Sequence, residues 1–317
     1  MWSLLAKPIF VLAPMEDVTD TVFRQIVVKA ARPDVFFTEF VNVEGLLSKG
    51  AEKVEERLLF TENERPLVAQ IWGSHPESFY KAAKQIAELG FDAIDINMGC
   101  PKRDVVKKGC CIALINNRTL AAEIIAATKK GAGTLPVSVK TRIGLKTIQT
   151  EDWISFLLQQ NLAALTIHGR TAKEMSKVPN HWEEIAKSVV VRNKIAPQTL
   201  IIGNGDVVDY DDGLSKIKTY GVDGVMIGRG IFQNLWVFDT SLESRDLLTK
   251  LKLMREHITL FDKTWGKRKA YRILKKYFKI YIGGFDGASA MREEFMKTES
   301  TVEALTLIQE LEITLRS

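Results

Sequence analysis

Apolar residues in this chain come in short unbroken runs rich in Val, Ile and Leu, without polar alternation: Ile9–Ala13, Val35–Thr38, Leu67–Ile71, Ala93–Ile96, Val137–Lys140, Ala164–Ile167, Leu200–Ile202 and Gly224–Ile227. Unbroken runs of this length mark strands covered on both faces, as in a parallel sheet. Helix-period stretches lie between most of them, over Asp20–Ala31, Glu77–Leu89, Leu120–Lys130, Glu151–Gln160, Trp182–Val189 and Asp212–Tyr220. Eight strand runs alternating with helices predict an α/β fold, a (β/α)8 TIM barrel, with a doubly wound open sheet as the competing architecture. The second strand is the least defined, because residues 39–65 are polar and irregular. Beyond Trp236 no strand run recurs, and from 244 to 317 helix formers carry periodic apolar positions. The expected organisation is a barrel domain over 1–240 followed by an all-helical C-terminal domain over 241–317.

A barrel of this kind carries its chemistry at the C-terminal ends of its strands. Here those ends read Pro14-Met15-Glu16, Gln70, Asn97-Met98-Gly99-Cys100-Pro101, Lys140-Thr141-Arg142, His168-Gly169-Arg170, Gly203-Asn204-Gly205-Asp206 and Gly228-Arg229-Gly230. Glycines after the last two strands allow a backbone approach to a phosphate, with Arg229 adding charge; tight turns alone are the other reading. Lys140 ends a buried strand, where a charge is costly unless used. It suits a Schiff-base nucleophile or a fixed cation beside an electron-accepting cofactor, against a lysine snorkelling at the rim. His168, ending the next strand, can donate to the same ligand. Cys100, in a loop between Gly99 and Pro101, is the candidate catalytic acid, whereas Cys110 and Cys111 sit in an apolar context and read as small buried residues. Four scattered histidines and no Cys-x-x-Cys pair argue against a metal site.

At 317 residues, 46% hydrophobic and 26% charged, the composition is that of a globular chain. No run approaches the roughly 18 apolar residues of a membrane span, and the apolar start, broken by Lys7 and Pro8, reads as a first core strand. Three cysteines give no disulfide framework and suit a reducing compartment, so a cytoplasmic protein is expected. The net charge of +5 is local in origin: residues 263–279 hold eight basic residues and no acid, leaving the remainder net negative. On a helical wheel Arg268, Arg272, Lys275, Lys276 and Lys279 share one arc, opposite Tyr271, Leu274, Tyr277, Phe278, Ile280 and Tyr281. A basic face without interspersed acids points to nucleic acid rather than to a solvated face or a membrane surface.

Taken together these segments resemble the tRNA-dihydrouridine synthases, FMN-dependent enzymes that reduce uridine in tRNA. The resemblance rests on Ala13-Pro14-Met15-Glu16-Asp17-Val18-Thr19-Asp20 with Phe23-Arg24, on Asp95-Ile96-Asn97-Met98-Gly99-Cys100-Pro101, and on Val139-Lys140-Thr141-Arg142-Ile143-Gly144. It continues through Thr166-Ile167-His168-Gly169-Arg170-Thr171, Gly203-Asn204-Gly205-Asp206 and Met226-Ile227-Gly228-Arg229-Gly230. It implies Pro14, Met15 and Glu16 along a flavin, Gln70 and Lys140 at its ring, His168 at the ring or ribityl chain, and Asn204, Gly205, Asp206, Gly228 and Arg229 at its phosphate. It implies Asn97, Arg142 and Arg170 at the tRNA nucleotide, Cys100 as the proton donor, and NADPH as a transient reductant. The C-terminal basic residues would hold the tRNA of a monomeric enzyme. The alternatives are a flavin barrel acting on a free pyrimidine, a Schiff-base aldolase, and an RNA-binding module with an inactive barrel. Two stretches depart from the family pattern: Cys110-Cys111-Ile112, and Ala172 to Pro179.

Overall fold

The computed structural model describes residues 1–241 and 245–315; residues 242–244, 316 and 317, all within the expected helical domain, lie outside the described residues. The chain divides into two compact units, Met1–Thr21 with Pro33–Gly228, and Val22–Arg32 with Arg229–Ser317.

The first unit is a barrel. Its strands are β1 (Ile9–Leu12), β2 (Phe36–Phe37), β3 (Val41–Asn42), β4 (Leu67–Trp72), β5 (Ala93–Met98), β6 (Val137–Arg142), β7 (Ala164–His168), β8 (Leu200–Asn204) and β9 (Gly224–Ile227). They run in the order β1-β9-β8-β7-β6-β5-β4-β2, and the pairs are parallel. Val11 bridges Val35, and the Leu12 N–H donates to the Val35 carbonyl at 3.0 Å, so β1 meets the start of β2 and the ring closes. All eight runs read from the sequence become ring strands, which excludes the open sheet. The ninth, β3, comes from the irregular stretch 39–65 and pairs Val41 with Ile71 of β4. Strand burial on both faces explains the unbroken apolar runs: every residue of β1, β5, β8 and β9 is buried.

Helices α1 (Thr21–Ala30), α2 (Pro76–Glu88), α3 (Arg118–Ala132), α4 (Thr150–Leu158), α5 (Trp182–Ile195) and α6 (Tyr210–Tyr220) follow β1, β4, β5, β6, β7 and β8. Their starts follow local chemistry. Asn117 and Asp209 accept from the backbone N–H groups of Leu120 and Asp212, and Pro76 occupies the first turn of α2, where its missing N–H costs nothing. Parallel register pairs Asn97 with Lys140, Arg142 with His168, and His168 with Asn204, which brings the ends of β5 to β8 to one rim.

The second unit takes most of α1 and adds α7 (Leu247–Trp265), α8 (Ala288–Lys297) and α9 (Thr301–Thr314). Its core is aromatic: Phe23 stacks on Tyr277 with centroids 5.0 Å apart, and His257 Nδ1 lies 2.8 Å from the Tyr281 hydroxyl. Residues 268–281 do not form the single α-helix that the wheel assumed. Gly266 ends α7, Tyr271–Tyr277 is a 3-10 helix, and Phe278–Tyr281 is one α turn. The two-sided character survives because burial, not periodicity, enforces it: Leu274, Tyr277, Phe278, Ile280 and Tyr281 are buried, while Arg268, Arg272, Lys276 and Lys279 are exposed. Lys275 is half-buried and donates to the Met296 carbonyl at 2.7 Å. Among the described residues no single helix is long and apolar enough to cross a membrane.

Candidate active site

Four strand ends place two hydrogen-bonded sets of polar groups at the rim, and parallel register sets Asn97 of one beside Lys140 of the other. The Lys140 ammonium donates to Asn204 Oδ1 at 2.8 Å, and Asn204 in turn donates to the Met226 carbonyl at 2.8 Å. Gln70, fully buried, accepts from Asn97 Nδ2 at 3.0 Å. Asn97 Oδ1 accepts the N–H groups of Gly99 and Cys100, both at 3.0 Å, so the side chain that ends β5 also shapes the cysteine loop. Arg142 holds the other side of that loop, its Nε donating to the Gly99 carbonyl at 2.9 Å. Cys100 is half-buried and opens on a pocket of about 190 Å³ that Glu16, Trp72, Lys102 and Cys111 also line.

Burial and charge tune these groups. Lys140 is lowered to about 7, by burial first and by the Arg142 charge second, with Asp95 and Cys100 opposing. Asp95 is raised to about 6 by burial, against hydrogen bonds from Ser138 and Gln70 and the charge of Lys140. The Cys100 thiol is lowered to about 6, chiefly by a hydrogen bond from the Cys111 thiol, with burial and Glu16 opposing and the Lys102 N–H and Arg142 assisting. An ordinary thiol pKa therefore does not hold at Cys100, and near pH 7 it is mostly thiolate. Burial first, and Cys100 second, push Cys111 well above the thiol range, so it keeps its proton and donates.

The remaining sequence candidates fall at different places. Met15 and Gly228 are neighbours: a Cβ built on Gly228 would lie 3.5 Å from Ala13 Cβ and 4.0 Å from Met15 Sδ. Pro14 is half-buried, while Glu16 is exposed and lies 3.5 Å from Arg57. Gly205 has φ +122° and presses on the Asn180 carboxamide beside His168, so only glycine fits there. Arg170, expected at the RNA, is only 3% exposed. It donates to Asp206 Oδ1 at 3.0 Å and to the Val178 carbonyl at 2.7 Å. It thus braces the loops after β7 and β8. Arg229 opens a 3-10 turn, Arg229–Phe232, in the second unit and is exposed.

The family model for dihydrouridine synthases (Dus) matches residues 11–316 of this chain. The chain belongs to the dihydrouridine synthase family. It is 49% identical over 314 residues, 98% of this chain and 95% of the relative, to a probable tRNA-dihydrouridine synthase of Staphylococcus aureus strain MRSA252. It is 48% identical over 315 residues, 98% and 96% of the two chains, to a probable tRNA-dihydrouridine synthase 2 of Bacillus subtilis strain 168. Solved structures similar to it in fold include 2-naphthoyl-CoA reductase with 2-naphthoyl-CoA, at TM-score 0.55, 11% identity and coverage of 75% of this chain and 52% of that one. A variant of NCR from Zymomonas mobilis aligns at TM-score 0.50, 15% identity and coverage of 74% and 85%. These support the barrel alone.

Within this family member, three polar participants escaped the sequence reading. Asp95 opened the motif Asp95–Pro101 and stood as an acid inside the apolar run Ala93–Ile96, but no role followed from either. Cys111 had no signal, because its pairing with Cys100 spans a loop. Asn180, whose Nδ2 and Oδ1 are buried without a hydrogen-bond partner, follows directly on the stretch that departs from the family pattern. Among the described residues no cluster of three or more His, Cys, Asp or Glu is arranged to hold a metal ion.

Proposed function

We propose that the chain is an FMN-dependent tRNA-dihydrouridine synthase that reduces the C5–C6 double bond of uridine in tRNA. The observation that carries this reading is that two hydrogen-bonded sets, Lys140 with Asn204 and Gln70 with Asn97 and the Cys100 N–H, stand side by side at one rim, beside a pocket onto which the thiol opens. The donor set suits a flavin. A lysine whose charge is disfavoured by burial gains from an anionic ring, and three fixed carboxamides offer both donors and acceptors to its polar edge. The partnerless Asn180 carboxamide beside Gly205 calls for a polar partner from outside the chain.

Pro14, Met15 and Glu16 would lie along the flavin, Gln70, Lys140 and His168 would touch its ring or ribityl chain, and Asn204, Gly205, Asp206 and Gly228 would hold its phosphate. When bound, the flavin supplies hydride to C6 of the base, and NADPH replenishes it. Asn97 and Arg142 orient the uracil, and Lys140 offsets negative charge. Cys100 gives the matching proton to C5, so one hydride and one proton complete the reduction. Because the Cys100 thiol is lowered to about 6 in the free protein, the base that covers the pocket has to raise it again by excluding water, the proton being taken up from solvent before the pocket is covered. The uridine has to leave its stack to reach this site, at a cost of a few kcal/mol. Exposed Arg268, Arg272, Lys276 and Lys279 of the second unit offset that cost by binding phosphates.

The test is Cys100→Ala in the purified full chain. The two visible absorption bands of an oxidised flavin are expected at parent intensity, with turnover on full-length tRNA down about a hundred-fold or more. Parent-level turnover would remove Cys100 from its role, and a colourless parent protein would remove the flavin.

A further inference from the structure

The barrel interior holds an acid that the proposed chemistry does not use. Asp95 is fully buried in β5 between Ile94 and Ile96, where an ionised carboxylate is tolerable only if its oxygens are bound. Oδ1 accepts from the Ser138 hydroxyl at 2.6 Å, and Oδ2 accepts from Gln70 Nε2 at 2.7 Å. A carboxylate only accepts, so it dictates which end of the Gln70 carboxamide faces it. Gln70 Oε1 is then left to accept from Asn97 Nδ2 at 3.0 Å. Asn97 Oδ1 is left in turn to accept the N–H groups of Gly99 and Cys100 at 3.0 Å each. Each carboxamide has one donor end and one acceptor end. The series of hydrogen bonds therefore has a direction, and its two ends agree on it: the Asp95 carboxylate only accepts, and the Gly99 and Cys100 N–H groups only donate.

We propose that Asp95 is a positioning residue for Cys100: as an acceptor-only group it anchors the buried end of the Gln70–Asn97 relay, and the relay fixes the Gly99–Cys100 peptide so that the thiol meets Cys111 and the pocket. In its catalytic consequence the proposal rests on Cys100 being the proton donor, and the experiment separates the two. Asp95→Asn keeps the shape of the side chain, but only one of its two amide orientations presents an oxygen to the Gln70 Nε2 donor, so the anchor at the buried end is weakened. Iodoacetamide labelling of Cys100 at pH 7, resolved from Cys110 and Cys111 by peptide mass spectrometry, is expected to slow about five-fold, because a loosened loop takes the sulfur away from the donors that favour its thiolate. Loss of the Asp95 charge by itself acts the other way, favouring the thiolate and speeding the reaction. Ser138→Ala leaves the carboxylate facing Gln70 and is expected to keep the labelling rate within about two-fold. With tRNA, kcat of the Asp95→Asn enzyme should fall about ten-fold or more at unchanged KM. Labelling of Asp95→Asn at or above the parent rate, or an equal slowing in Ser138→Ala, overturns the positioning role. Slowed labelling with parent-level kcat leaves that role standing and overturns the acid role of Cys100 instead.

Discussion

Cys100 and Cys111 divide their acidity unequally. Cys111 is buried at positive φ, 54°, and keeps its proton; by donating it toward Cys100 it makes the outer sulfur the stronger acid. Removing that donor in Cys111→Ala should raise the midpoint of the pH-dependent alkylation of Cys100 from about 6 by about one unit or more, each unit being ~1.4 kcal/mol. Cys111→Ser retains a hydroxyl donor and should hold the midpoint near the parent value. The sign for stability follows from the same shift. A thiol lowered on folding adds stability that is complete above its unfolded pKa, about 8.5, and disappears as pH falls through about 6. The candidacy of Cys100 was readable from a thiol placed between Gly99 and Pro101 past a strand. Its acidity was not, because the donor stands eleven positions on, across a loop.

Helix α3 lies against α2 through Gly131. A Cβ there would clash with the Tyr80 carbonyl and come within 3.0 Å of Ala83 Cβ. Alanine gains about 1 kcal/mol of helix propensity over glycine, but overpacking against a backbone group that cannot rotate away costs about 1–3 kcal/mol. Gly131→Ala is thus expected to lower the midpoint of thermal unfolding while flavin content per folded protein stays constant; a raised midpoint would show that the helices part without cost. Helix positions were legible because apolar spacing and caps act within one turn. Close approach between helices was not, since nothing local distinguishes a glycine that packs from one that merely interrupts. The same limit explains the basic segment at 268–281, where aromatic packing in the second unit draws Tyr271–Tyr277 into a 3-10 helix that a 3.6-residue wheel does not describe.

Binding of a large polyanion is read through the exposed charge of the second unit. Lys275 is committed to the Met296 carbonyl, so the informative reversal is Arg272→Glu with Lys276→Glu, both exposed. Affinity for tRNA should fall, and the slope of log K against log salt should flatten by roughly one for each phosphate no longer neutralised, with flavin content unchanged. Equal affinity and slope would place the RNA elsewhere. Barrel topology, the eight ring strands, the rim loops and the family were carried by local order along the chain, because two-sided burial demands unbroken apolar strands and parallel strands deliver their ends to one side; the ninth strand, β3, lay hidden in a polar stretch. Which polar groups meet there was settled only by folding. Parallel register set Asn97 beside Lys140 and His168 beside Asn204, a buried carboxylate took up the Gln70 amide, and folding paired Arg170 with Asp206. Burial and hydrogen-bond direction depend on neighbours distant in sequence, and so they exist only once the chain has closed on itself.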